Sequence, residues 1–146
     1  MNKKYLLGLY EKAMPNELSW EEKMIVAKNV GYDFIEMSID ETDEKLERLD
    51  MTLEDRQNLV NLMYKTGMPI RSMCLSGHRK YPLGSHDENI RKRSLEIMEK
   101  AVILANDLGI RIIQLAGYDV YYETSDEDTL KMFEKNLKKA TLFAAK

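Results

Sequence analysis

Three segments of this chain repeat one arrangement: Gly31-Tyr-Asp-Phe-Ile-Glu36-Met-Ser, Gly67-Met-Pro-Ile-Arg-Ser72-Met-Cys and Gly109-Ile-Arg-Ile-Ile-Gln114-Leu-Ala each set a glycine before a short, β-prone apolar run. Such runs are too brief for helices. A glycine in front of them suits the end of a preceding helix, because it takes the left-handed conformation of a C-terminal cap without a Cβ penalty. Each unit therefore reads helix, glycine, strand. The glycines lie 36 and then 42 residues apart, a period that fits a βα repeat with helices of ordinary length.

The expected helix starts agree. Ser19-Trp-Glu-Glu22, Thr52-Leu-Glu-Asp55, Ser85-His-Asp-Glu88 and Ser125-Asp-Glu-Asp128 each place a hydroxyl three residues before an acid, the pattern of a capping box. Behind them Met24, Ala27 and Val30 follow Trp20, and Leu95, Met98, Val102, Ala105 and Leu108 recur at threes and fours, as one buried helical face requires. Many of the ten methionines read as core filling. A first strand from Tyr5 to Leu9 completes four units, with strands expected near 5–9, 33–38, 69–75 and 110–116 and helices near 19–30, 52–66, 86–108 and from 125 onward. The acidic run Glu41 to Asp50 is expected to add a short helical turn with a solvated face.

Strict alternation of strand and helix implies an α/β domain over residues 1–146, with a parallel sheet and right-handed crossovers. Two architectures fit. An open doubly wound sheet can be complete at this length, whereas four units make only half of a barrel that usually takes ~250 residues. Leu130, Phe133, Leu137, Ala140 and Ala144 keep the helical period up to Lys146 with no glycine cap and no closing strand, which leans towards the half-barrel.

Composition removes several partner classes. At 44% hydrophobic and 32% charged, the chain has the balance of a soluble globular protein. No apolar run approaches the ~20 residues that would span a bilayer, and Met1 to Tyr10 lacks both the apolar core and the cleavage site of a signal peptide. A cytoplasmic protein with no membrane partner is expected. A single cysteine, Cys74, allows neither an internal disulfide nor a cysteine-built zinc site. The net charge of −3 argues against nucleic acid as the main partner, because such binding needs clustered Lys and Arg.

In parallel α/β folds ligands sit where strands end and helices begin. The segments that follow the expected strands are polar: Tyr10-Glu11-Lys12, Ser38 to Asp43, Ser76-Gly77-His78-Arg79-Lys80-Tyr81 and Gly117-Tyr118-Asp119-Val120-Tyr121-Tyr122. Within the strands, Glu36, Ser72 and Gln114 share one offset from their glycines, so a common register points them to one side of the sheet. They are candidates for binding a polyhydroxylated ligand; a structural polar network is the alternative reading. His78-Arg79-Lys80 could hold a phosphate or an enediolate oxygen, or be an ordinary solvated basic loop. Tyr118, Tyr121 and Tyr122 could stack on a sugar or pack at the rim. No Walker loop, H-E-x-x-H, G-x-S-x-G or dinucleotide fingerprint is present. Two histidines and one cysteine at wide spacing define no metal centre.

At Gly8-Leu9-Tyr10-Glu11-Lys12-Ala13, Phe34-Ile35-Glu36-Met37-Ser38-Ile39-Asp40-Glu41-Thr42-Asp43, Met73-Cys74-Leu75-Ser76-Gly77-His78-Arg79, Tyr81-Pro82-Leu83-Gly84-Ser85 and Ile113-Gln114-Leu115-Ala116-Gly117-Tyr118-Asp119-Val120-Tyr121-Tyr122, the chain closely resembles the L-ribulose-5-phosphate 3-epimerases. These are also called L-xylulose-5-phosphate 3-epimerases, and some relatives carry the name hexulose-6-phosphate isomerase. The likeness runs from end to end but covers only about the N-terminal half of a family member.

The resemblance implies a xylose-isomerase-like TIM barrel that inverts C3 of a ketopentose 5-phosphate in L-ascorbate or pentose catabolism. It also implies a divalent metal on the ketose oxygens and two glutamates that exchange the C3 proton on opposite faces. The metal carboxylates, the histidine ligand and both glutamates of that family belong to later strands, so none maps onto residues 1–146, and this chain is expected to be inactive and to hold no metal tightly. Glu36, His78, Arg79, Gln114 and Tyr118 carry over as substrate-facing residues, followed by Tyr10 and Glu11; Arg79 is the expected phosphate contact. Exposed sheet edges imply self-association or pairing with a complementary half-barrel. The rival readings are a non-catalytic open-sheet binding or assembly module, one half of a split enzyme, and a barrel related to the apurinic endonucleases.

Overall fold

The computed structural model describes residues 4–145. The elements run β1 (Gly8–Tyr10), α1 (Trp20–Asn29), β2 (Phe34–Ile39), α2 (Asp43–Glu47), α3 (Leu53–Thr66), β3 (Ile70–Leu75), α4 (Glu88–Leu108), β4 (Ile112–Leu115) and α5 (Glu127–Ala144), with single 3-10 turns at Glu11–Ala13, Arg48–Asp50 and Gly77–Arg79. The strands form one four-stranded parallel sheet in the order β1-β2-β3-β4. Sequence order and sheet order coincide, as a run of right-handed βα units requires.

The glycine reading holds at each αβ junction. Gly31, Gly67 and Gly109 have φ of 90°, 68° and 72°, and no other described residue has a positive φ. At α1 and α4 the amides of Tyr32 and Ile110 reach back to the carbonyls of Ala27 and Ala105, so the helix closes on itself as the chain turns into the next strand. The Ser19 and Thr52 capping boxes form as expected. The other two starts move inward. The Asp87 Oδ1 and carbonyl accept from the amides of Asn89 and Arg91, and Asp126 closes a box with Thr129. Ser85 and Ser125 are drawn instead into loop contacts, with Ser85 Oγ accepting from Asp87 N and Ser125 Oγ donating to Asp119.

The first strand is shorter and later than 5–9. Its ladder with β2 pairs Gly8 with Phe34, Leu9 with Ile35 and Tyr10 with Glu36, while Tyr5 and Leu6 are 69% and 57% exposed. Strand geometry needs a paired neighbour, and β2 begins only at Phe34. Gly8 has a packing role there, since a Cβ would stand 2.4 Å from the Phe34 ring. The acidic run does form a helical turn, but it is not merely a solvated face: Lys45, Leu46 and Leu49 are buried.

The contacts group into two compact units. One comprises the residues up to Ser38, Met51–Cys74 and Ala105–Gln114; the other comprises Ile39–Asp50, Leu75–Leu104 and the residues from Leu115 on. In the first, α1 packs on α3, and Met24, Ala27, Ile35, Met37, Leu59, Met68, Ile70 and Met73 form the core. In the second, the core is Ile39, Leu46, Leu49, Leu75, Leu83, Ile97, Met98, Ala101, Leu104, Val120 and Ala140. Methionines do fill core space, as expected, because the unbranched thioether adapts to irregular gaps.

Candidate functional site

In the first unit the polar residues of the strands share a face. Ser72 Oγ donates to Glu36 Oε2 at 2.7 Å, so the common offset from the glycines corresponds to a real cross-strand pair. Tyr10 stands opposite Glu36 in the ladder, and its hydroxyl lies 3.2 Å from Ser38 Oγ. Burial raises the Tyr10 pKa against the bond to Ser38, and neighbouring Cys74 adds to the rise, so the phenol stays protonated. Gln114 lies on β4 and is exposed.

One feature beside this row is not legible from pattern. Glu11 and Lys23 are 1% and 2% exposed and form an ion pair at 3.0 Å. The second Glu11 oxygen accepts the Ser38 amide at 2.9 Å. The carboxylate therefore ties the turn after β1 both to α1 and to the end of β2. Lys23 also stands 5.6 Å from the centre of the Trp20 ring, a cation–π contact.

In the second unit the loop after β3 separates the basic tripeptide. His78 is 4% exposed, and its Nε2 lies 3.2 Å from the Ser94 carbonyl on α4. Burial lowers its pKa, which favours a neutral ring that anchors the loop. Gly77 packs the start of this loop close to the turn after β2, since a Cβ there would meet Leu46 at 3.0 Å and the Asp40 carbonyl at 3.3 Å. Arg79 projects outward, its guanidinium 5.2 Å from the centre of the Tyr121 ring. Lys80 reaches Asp43 at 3.5 Å.

Around Arg79 the tyrosines form a cluster. The rings of Tyr118 and Tyr121 are 5.1 Å apart and tilted, and those of Tyr121 and Tyr122 are 4.9 Å apart edge to face. The Tyr122 hydroxyl donates to both oxygens of Glu41, at 3.0 and 3.3 Å. The Tyr118 hydroxyl is shut off from solvent and makes no well-formed hydrogen bond among the described residues. Burial raises its pKa, while the Arg79 charge acts in the opposite sense. The cluster thus offers one guanidinium, one phenol buried beside it and aromatic faces, a set suited to an anionic group carried on a sugar-like body.

The loop bearing these tyrosines is braced from beneath. Asp119 accepts from Ser125 Oγ at 2.8 Å and from Thr129 Oγ1, and its carbonyl accepts the Gly84 amide at 3.0 Å. Burial raises the Asp119 pKa, but the hydroxyl bonds from Thr129 and Ser125 outweigh it and the carboxyl ends below its ordinary value. Gly84 has no room for a side chain, since a Cβ would stand 2.5 Å from the Thr129 carbonyl and 2.7 Å from that of Asp119.

Of the residues expected to face a ligand, Arg79 and Tyr118 come together in the second unit. His78 lies beneath the same loop, whereas Glu36 and Gln114 belong to the first unit. Among the described residues no three His, Cys, Asp or Glu side chains converge to hold a metal ion, so these residues do not fit the divalent ion that the resemblance implies. No described helix is long and apolar enough to cross a membrane.

Comparison with known proteins agrees with the fold. Residues 25–146 match the family described as xylose isomerase-like TIM barrel. The chain is 58% identical over 131 residues to the putative L-ribulose-5-phosphate 3-epimerase SgbU of Escherichia coli strain K12, covering 90% of this chain and 46% of the relative. It is 50% identical over 146 residues to the L-ribulose-5-phosphate 3-epimerase UlaE of Escherichia coli O157:H7, covering all of this chain and 51% of that one. The chain therefore spans about half the length of the curated relatives it matches. Among solved structures, a D-psicose 3-epimerase studied with D-fructose superposes with a TM-score of 0.78 over 97% of this chain and 49% of that chain, at 13% identity. An L-ribulose 3-epimerase superposes with a TM-score of 0.65 over 95% and 46%, at 21% identity. At these identities the likeness is one of fold.

Proposed function

Because the chain belongs to the xylose isomerase-like TIM barrel family, we propose that it supplies the first four βα units of a sugar-phosphate 3-epimerase, the part that recognises a ketopentose 5-phosphate. The reaction is inversion of C3, interconverting L-xylulose 5-phosphate and L-ribulose 5-phosphate in pentose or L-ascorbate catabolism. The observation that carries this reading is the 58% identity to an L-ribulose-5-phosphate 3-epimerase across 90% of the chain.

Inversion next to a carbonyl needs a base on one face of the sugar, an acid on the other, and stabilisation of the enediolate between them. In the full-length relatives the resemblance assigns that stabilisation to a divalent metal. The residues described here contribute recognition. Arg79 is proposed to hold the phosphate, since a guanidinium presents forked donors to a tetrahedral anion. Tyr118 lends the hydroxyl beside that guanidinium and Tyr121 its ring. His78 acts through the position it gives Arg79. In the first unit, Glu36 and Gln114 are proposed contacts for sugar hydroxyls. The isolated chain is proposed to pair with a complementary half or with itself; the support is β4, which ends the strand order and leaves Ile112 62% exposed.

The test is binding and turnover measured side by side. Calorimetry on the chain should detect L-xylulose 5-phosphate in preference to the unphosphorylated sugar and to abasic DNA, and Arg79→Ala should abolish that preference. Deuterium incorporation at C3 from heavy water should be absent for the chain alone with divalent metal, and should appear when a second polypeptide carrying the remaining strands is added. Turnover with stoichiometric metal by the chain alone would overturn the division of labour. A preference for abasic DNA would overturn the substrate class.

A further inference from the structure

His86 lies between two loops of the second unit, the one entering α4 and the one joining β4 to α5. Its Nδ1 is 3.3 Å from Glu123 Oε2 and its Nε2 is 2.9 Å from Asp126 Oδ2. Its backbone amide also donates to Glu123, at 2.9 Å. On its own side, Arg91 Nη1 donates to the carbonyls of Ser85 and His86 at 2.6 and 2.9 Å, and Asp87 caps α4. Both ring nitrogens thus face carboxylates. A neutral imidazole has one N–H and one lone pair, so it can satisfy only one of them; the imidazolium satisfies both.

We propose that protonated His86 is a clasp that positions the β4–α5 loop, and with it Tyr121 and Tyr122, and that deprotonation releases one arm of this clasp. The Glu123 arm keeps the backbone amide in either state. The Asp126 arm has no such second tie to His86, because Asp126 Oδ1 is committed to the amides of Asp128 and Thr129. The bonds from Gly84 and Ser125 to Asp119, from Asn136 Nδ2 to the Leu83 carbonyl and from the Tyr122 hydroxyl to Glu41 need no protonated imidazole, so the root of the loop stays in place while the stretch from Glu123 to Asp126 gains freedom and the tyrosines just before it sense the change. The surrounding charges act in the same direction. The bond to Asp126 leads the causes that raise the His86 pKa, Glu123 adds to it, and Glu123 and Asp126 both lie below their ordinary values.

The clasp does not depend on what the site binds, so its test needs no substrate. With two histidines in the chain, nitrogen-15 imidazole spectra separate the titrations, and loss of one signal set in His86→Gln assigns it. His86 should titrate above the ordinary histidine value, and the ring signals of Tyr121 and Tyr122 should move with the same midpoint. Asp126→Asn, which still caps α5, and Glu123→Gln should each lower that midpoint. His86→Gln should abolish the tyrosine response while leaving the circular dichroism unchanged. A midpoint at or below the ordinary value, or one that neither carboxylate substitution moves, would overturn the clasp. So would tyrosine signals that ignore it.

Discussion

The buried pair between Glu11 and Lys23 permits a quantitative test of what holds the first unit together. Removing one member leaves the other charged at 1–2% exposure, and for Glu11 the substitution also touches the acceptor of the Ser38 amide. Breaking a buried ion pair on one side costs about 3–5 kcal/mol, because the survivor keeps its desolvation penalty after losing its opposite charge. Replacing both members by neutral groups of similar shape is close to neutral. Glu11→Gln retains a carbonyl for the Ser38 amide, and Lys23→Met fills the lysine stem without a charge, so these two substitutions and their combination make a clean cycle. With a urea slope of about 2 kcal/mol/M, each single variant should lower the midpoint by ~1.5–2.5 M, and the double variant should lie within ~0.5 M of the parent. Trp20, the chain's only tryptophan, stands beside Lys23 and reports the transition by fluorescence, with circular dichroism as the second probe. Single variants within ~1 kcal/mol of the parent, or a double variant as unstable as the two singles summed, would refute the electrostatic reading.

Other consequences are open to measurement. Gly84→Ala places a methyl group against two backbone carbonyls and should cost about 1–3 kcal/mol in thermal unfolding, with no relief from side-chain movement. Tyr118→Phe removes a hydroxyl that stands out of solvent beside the Arg79 guanidinium, so it should change stability by no more than about 1 kcal/mol while weakening phosphosugar binding; a larger loss in urea unfolding would show that the contact with Arg79 holds the loop. The two histidines should bend the pH–stability curve in opposite senses. His78, lowered by burial, contributes stability that is complete above the unfolded pKa near ~6.5 and is lost as pH falls through its folded value. His86, raised chiefly by Asp126, contributes stability that is complete below ~6.5 and is lost as pH rises through its folded value. Denaturation curves of His78→Gln and His86→Gln between pH 5 and 9 should therefore lose opposite limbs, and identical changes would contradict the assignment.

Much of the candidate site was partly legible. The equal offset of Glu36 and Ser72 from their glycines announced a shared face, because strand register carries that information, and the two side chains do pair. The loop after β3 was recognisable as basic, but nothing in His78-Arg79-Lys80 distinguishes the ring that turns inward under α4 from the guanidinium that turns outward. That split is visible only in the contacts the two side chains make, His78 with the Ser94 carbonyl and Arg79 with the Tyr121 ring, 16 and 42 residues further on. The tyrosines were visible as a cluster, yet the Glu41 carboxylate that Tyr122 engages is 81 residues away in the chain. Among many acids, only the folded loops single it out.

What the amino-acid order determined by itself is the local grammar: three glycines at left-handed caps, two capping boxes, and β-prone runs of the right length, hence an alternating parallel α/β chain. These features follow from interactions within a few residues, so a linear reading captures them. Tertiary structure alone decided where β1 begins and that Glu11 meets Lys23 out of water. It alone also decided that His86 stands between two carboxylates. Each of these depends on which groups are brought into contact across long separations and how much solvent remains between them, and burial sets both the cost and the strength of such contacts.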